Sequence, residues 1–191
     1  MDEISIAIII AIIFIITIVI AILIPRIIPI YNEFISLSNS AEAELSQIRV
    51  AMKRRLDSIQ QLFDLLSSYA HFENKTQMRI TQMRTSVLNA NLNQLNGLDK
   101  SSQGFLLKLI TVAENYPNLK TSDVVQSLIT NVTDIEREIT DRRYQYNEIV
   151  KNYNILKNRI PSNILAILLG FKKMDYLTFD DSVSIPQKLM F

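Results

Sequence analysis

Cysteine and tryptophan are absent from this 191-residue chain, histidine occurs once and glycine three times. Without cysteine there can be no disulfide framework, no thiol nucleophile and no cysteine-ligated zinc or iron–sulfur site. Gly97, Gly104 and Gly170 fit no Walker or dinucleotide pattern, which excludes a phosphate-cradling loop of those types. Charge of one sign is also lacking: 20 Lys+Arg face 19 Asp+Glu for a formal +1, so the concentrated basic surface of a nucleic-acid binder is not expected. His71 stands alone, and Glu73 two residues on falls on the wrong side of a helix to share a metal, so His71 is read as structural. Asp180 and Asp181 lie in a polar tail with no sign of a cleft, and the serines and threonines have no adjacent base to activate them. No catalytic, cofactor-binding or metal-binding residue is assigned, and no enzyme is expected.

What the chain does have is a long apolar run. Ile4 to Ile24 spans 21 residues without a charge, 13 of them isoleucine. As a helix it would be about 31 Å long, the thickness of a hydrocarbon core. A cleaved signal peptide would need a basic start and a small-residue exit, whereas this run starts after Asp2 and Glu3 and leaves through Leu23, Ile24 and Pro25. A single-pass span in the cell membrane is expected, with Arg26 favouring a cytoplasmic body and an outside N-terminus. Asn74-Lys75-Thr76 and Asn131-Val132-Thr133 match the glycosylation pattern but fall in predicted helices and are given no weight.

Beyond Pro25 and Pro29, which punctuate the exit from the membrane, apolar residues recur at helical spacing. Phe34, Ala41, Leu45, Ile48 and Met52 form one stripe, and Ile59, Leu62, Phe63, Leu66, Tyr69, Ala70, Ile80, Met83 and Val87 a second, with a lapse between Ala70 and Ile80. Asp57 can cap a new start, so a turn is expected near Arg54–Asp57. Gln94 to Gly104 concentrates Asn, Asp, Ser and Gly and reads as the longest loop of the body. A short third helix is predicted over 105–116, ended by Pro117. A long fourth begins at Asp123, with Gln126 at the reciprocal capping-box position. Its seam runs Val125, Leu128, Val132, Ile135, Ile139, Arg142, Tyr146, Ile149, Tyr153, Leu156 and Ile160. Arg142 interrupts this apolar seam. Either a carboxylate such as Asp57 or Glu73 answers it, giving a buried polar network of Arg142, Asp57 and Tyr146 that sets register, or its head snorkels to the bundle edge. The segment 161–173 is too short to cross a bilayer. It can fold over the bundle as a lid, the commoner fate of such segments, or lie on the membrane with Leu168, Phe171, Lys172 and Lys173 in contact.

Several of these segments together resemble the LemA family of single-span membrane proteins. The resemblance rests on Tyr31-Asn32-Glu33-Phe34, Lys53-Arg54-Arg55-Leu56-Asp57 and Tyr116-Pro117-Asn118-Leu119-Lys120. Arg143-Tyr144-Gln145-Tyr146-Asn147 follows, with Val150 and Tyr153-Asn154, and then Pro161-Ser162-Asn163 leading to Gly170-Phe171. Gln60 and Gln61 stand where the family usually has Pro-Asn, and Leu45 where it often has tryptophan. The resemblance implies an antiparallel four-helix bundle behind an N-terminal anchor. It also implies scaffolding or membrane shaping rather than turnover, since some relatives are implicated in forming magnetosome membranes.

The expected architecture is therefore all-α, an N-terminal transmembrane helix followed by an antiparallel four-helix bundle with long helices. Residues 1–30 are the anchor, 31–160 the bundle, and 161–191 a short apolar helix and polar tail. The expected role is a membrane-anchored scaffold whose partners are the lipid bilayer, other copies of itself or other membrane proteins. The alternative is a sensing module that binds a ligand and modulates a neighbouring membrane protease.

Overall fold

A computed structural model of the chain describes residues 3–72, 74–117 and 122–178, with side chains from Ile8 onward. It holds α1 (Glu3–Ser67), α2 (Asn74–Ser86), a 3-10 turn (Val87–Asn89), α3 (Leu92–Glu114), α4 (Asp123–Asn158) and α5 (Ser162–Leu168), and no strand among the described residues. The described residues divide into two compact units, one of residues up to 41 with 149–175, the other of 42–148 with those from 176 on.

The unit of 42–148 contains four helical segments: the C-terminal part of α1, then α2, α3 and most of α4. Along α1 the residue numbers rise while those of their α4 partners fall: Glu44 pairs with Arg142, Arg54 with Glu138, Arg55 with Glu136, and Ser58 accepts from Asn131. These helices are therefore antiparallel. The same reversal relates α1 to α2, since Asp57 pairs with Arg84 while Arg49, further back, donates to the Ala90 carbonyl. The core is filled by the stripes read from the sequence, with Leu45, Ile48, Met52, Ile59, Leu62 and Leu66 of α1 buried beside Val132, Ile135 and Ile139 of α4.

Two expectations about breaks are corrected. No turn occurs near Asp57, for α1 continues to Ser67, and the chain leaves the helix over 68–72, where the lapse of the apolar stripe begins. Gln94–Gly104 is not a loop but part of α3. Asn91 accepts from the Gln94 amide while the Gln94 side chain accepts from the Asn91 amide, a reciprocal cap that starts the helix despite its glycines. The fourth helix starts near Asp123 as read, although the carbonyl taking its first bond belongs to Ser122, leaving Asp123 in the first turn to complement the helix dipole.

The unit of 1–41 and 149–175 begins with the apolar run. It is helical, and its side chains from Ile8 to Ile24 are exposed, as lipid-facing residues would be. Thr17 returns its hydroxyl to the Ile13 carbonyl at 2.8 Å, so this polar group is satisfied within the helix. Pro25 and Pro29 stand inside α1, which continues through both. Past them a small core forms from Phe34, Tyr153, Leu156 and Ala166, with Ile30, Leu37, Phe171 and Met174 packed against it.

Candidate functional site

Two features of the structure stand apart from plain hydrocarbon packing: a buried charge cluster within 42–148, and the α5 corner of the unit that carries the apolar run.

The cluster grows out of three heptad seams. On α1 the buried positions Ala41, Leu45, Ile48, Met52, Arg55, Ile59, Leu62 and Leu66 advance by alternating fours and threes, and so do Leu95, Asp99, Ser102, Leu106, Leu109 and Ala113 on α3. On α4 the same steps join Ile139, Arg143, Tyr146, Val150 and Tyr153. Each seam thus carries polar residues among hydrocarbon, and these meet one another. Arg55, fully buried, donates to Asp99 Oδ1 at 2.8 Å, to Glu136 Oε1 at 2.6 Å and to the Ser102 hydroxyl. The second Asp99 oxygen takes an ion pair from Arg143 at 2.6 Å. Two arginines and two carboxylates give a formally neutral group, with Asp99 bridging both cations. The Nε of Arg55 is buried with no hydrogen-bond partner among the described residues.

A cluster of this kind sets which residues face each other. Sliding any one helix by a turn would leave a buried cation or carboxylate unanswered, at a cost far above that of a mismatched leucine. Catalysis is a poor use for it, because its charges are committed to one another.

The residues singled out from the sequence lie close by but elsewhere. Arg142 is half-buried and pairs with Glu138 at 3.0 Å and Glu44 at 3.5 Å, while Asp57 accepts from Arg84 at 2.6 Å. Arg142 and Asp57 are thus held by different partners, and the buried arginines are Arg55 and Arg143. Tyr146 is buried, and Glu73 lies outside the described residues, as do Asp180 and Asp181. Glu138, gripped by Arg142 and also by Arg54, is held below the usual glutamate range, the Arg142 hydrogen bond being the largest cause. An open depression is lined by Gln77, Met78, Thr81, Gln82 and Thr85, all on α2.

At the α5 corner, Ser162 and Ala166 face inward while Ile164, Ile167 and Leu168 face out. The helix stops in a paired C-terminal motif, in which the Phe171 amide donates to the Ala166 carbonyl and the Gly170 amide to the Ile167 carbonyl. Gly170 takes φ +73°, the left-handed turn that glycine adopts without a Cβ penalty. That turn returns Phe171 onto α1, where it stacks on Phe34 at 4.5 Å and tilts against Tyr31 at 6.1 Å. Phe34 also meets Tyr153 edge-on at 5.4 Å, and burial pushes the Tyr153 phenol up. Asn154 fixes the following strand of chain by donating to the Met174 carbonyl and accepting from its amide, at 2.9 and 3.0 Å. Of the four candidate membrane contacts, Leu168, Lys172 and Lys173 are exposed and Phe171 is half-buried in this aromatic stack.

A family model described as the LemA family matches residues 44–191. The chain belongs to the LemA family. It is similar to Magnetosome protein MamQ 2 of Paramagnetospirillum magneticum, 28% identical over 76% of this chain and 64% of that protein. It is also similar to Magnetosome protein MamQ of Magnetospirillum gryphiswaldense, 24% identical over the same shares. Protein LemA of Metamycoplasma hominis is 30% identical over 64% of this chain and 57% of its own length. The match spans less than two thirds of the length of each of these relatives. For this LemA-family chain, the segments that carried the resemblance now have physical jobs: Arg55 and Arg143 hold the charge cluster, while Phe34, Tyr153, Asn154, Gly170 and Phe171 build the α5 corner.

Proposed function

We propose that this LemA-family chain is a single-pass membrane protein whose helical body serves as a scaffold. It would organise or shape the bilayer, or recruit membrane partners through its helix faces, self-association included. The observation that carries this reading is the division of labour along α1. From Ile8 to Ile24 the helix exposes isoleucine in every direction, a surface suited to lipid, and from Phe34 onward the same helix turns a narrow apolar stripe into protein cores. Relatives named as magnetosome proteins support a part in building a cellular assembly rather than turning over a substrate. Arg26, the first charge after the run, favours a body on the cytoplasmic side.

Crosslinking in native membranes, followed by identification of the captured proteins and by sizing of the purified chain in detergent and in lipid discs, tests the scaffold role. Discrete oligomers or a reproducible membrane partner are expected. A chain that stays monomeric in both media and captures nothing would end the proposal.

A further inference from the structure

Five large apolar residues on α5 and at its two ends are left mostly uncovered. Ile160, Ile164, Ile167, Leu168 and Leu169 are each at least half exposed, Ile167 at 79% and Leu168 at 74%. Around α5 the buried pair Ser162 and Ala166 lies on one side and Ile164, Ile167 and Leu168 on the other, at the 100° per residue of a helix. Exposed Lys172 and Lys173 follow directly.

The place of this face in the fold names what covers it. Phe171 sits on Tyr31 and Phe34 of α1, and Tyr31 is seven residues past Ile24, about 10 Å along a helix axis from the end of the apolar run. That puts Tyr31 at the outer edge of the headgroup layer, which adds roughly 5–7.5 Å to each side of the ~30 Å hydrocarbon core, so the remaining gap is within the reach of a side chain. Tyr31 itself is partly exposed there, in the position favoured by interfacial aromatics. If Ile4–Ile24 crosses the bilayer, the α5 corner is anchored at its surface with greasy side chains and two cations uncovered.

Building on the single-pass reading above, we infer that α5 is a second membrane contact. Its outer face, Ile164, Ile167 and Leu168, together with the exposed flanking residues Ile160 and Leu169, enters the interface of an anionic bilayer, and Lys172 and Lys173 engage the lipid phosphates. One helix crosses the membrane and a second rests on it, the two joined through the Phe34–Phe171 stack, so that the unit is held by two points of attachment rather than one. The anionic preference follows from the lysine pair, which attracts negative headgroups.

The absence of tryptophan makes the test direct. Single reporters I167W and L168W, at exposed sites where a larger ring disturbs no core, are placed in the full-length chain and reconstituted into vesicles of mixed neutral and anionic lipid. I20W, within the apolar run, serves as reference. Blue-shifted emission and quenching by lipids brominated near the headgroup end of the acyl chain are expected for I167W and L168W, with part of that quenching lost in a K172E/K173E background. Water-like, unquenched emission at both α5 sites with I20W quenched would overturn the inference while leaving the anchor intact. Blue-shifted emission that brominated lipid does not quench would mean that protein, such as a second copy, covers the face, and would overturn it too. Quenching indifferent to lysine reversal would overturn the anionic preference. Loss of quenching at I20W as well would overturn the anchor reading and this one together.

Discussion

At Asp99, one carboxylate answers two buried arginines, and this is where a single atom-for-atom change should matter most. Asp99→Asn keeps the shape but leaves Arg55 and Arg143 with one carboxylate fewer between them, and a buried ion pair broken from one side costs about 3–5 kcal/mol. Chemical denaturation of the variant should show a loss of that order. The contrast is Glu138→Gln, at a part-exposed site flanked by Arg54 and Arg142, expected to cost less than about 1 kcal/mol. Its effect should depend on pH with a definite sign. The folded value of Glu138 is depressed, so its contribution is full above the unfolded glutamate value of about 4.3 and disappears as pH falls through the lowered folded value. Stability curves of parent and E138Q should converge below pH ~4, and curves that stay parallel into acid would show that the two arginines do not grip this carboxylate. Of these charged sites, the sequence points only to Arg142, the partner of Glu138. The seam arithmetic that flagged Arg142 was one residue off because the α4 seam shifts from Ile135 and Ile139 to Arg143, Tyr146 and Val150 as the helix turns past its neighbours. Asp99 is hidden because it sits in a polar, glycine-bearing stretch that reads as loop. Its spacing from Leu95 and Leu106 already fitted a heptad, and only a carboxylate with buried partners on two other helices makes such a residue tolerable inside.

At the scale of the element, α3 shows how a cap overrides composition. Asn91 and Gln94 nucleate a helix that Asn, Asp, Ser and two glycines would not form alone. Neither Gly97 nor Gly104 is there for space, since a Cβ at either would meet nothing within 4 Å. Gly97→Ala is accordingly expected to raise stability by about 0.4–1 kcal/mol, read as a higher denaturation midpoint. Gly170 is the opposite case, because its positive φ makes Gly170→Ala strained even with room for the methyl. The stretch after α5 is pinned at Met174 by Asn154 and further on at Leu177 by Asn147, and Asn154→Ala removes both the donor and the acceptor to Met174. Trypsin cleavage after the exposed Lys172 and Lys173 should then accelerate severalfold, whereas an unchanged rate would show that the Phe171 stack suffices. Element existence and order were readable from apolar periodicity. The reversal after Ser67 was visible only as a lapse, because no proline or glycine marks it.

For the whole molecule, sidedness is the property most worth fixing, and a cysteine-free chain allows it. Ser127→Cys, at an exposed position on α4, should react with a membrane-impermeant thiol reagent only after the cytoplasmic face is opened. Labelling from outside intact cells would reverse the proposed orientation. The two prolines within α1 bear on how such a body is borne. Pro25 and Pro29 have no amide hydrogen, so the carbonyls four residues before them, those of Ala21 and Pro25 itself, receive no helical bond. One vacancy falls at the end of the isoleucine run and the other a turn beyond it, where hydration from the lipid surface is within reach. With the run immersed as proposed, the stalk has its unbonded carbonyls just where it leaves oil for water, a collar between the embedded rod and the rest of α1.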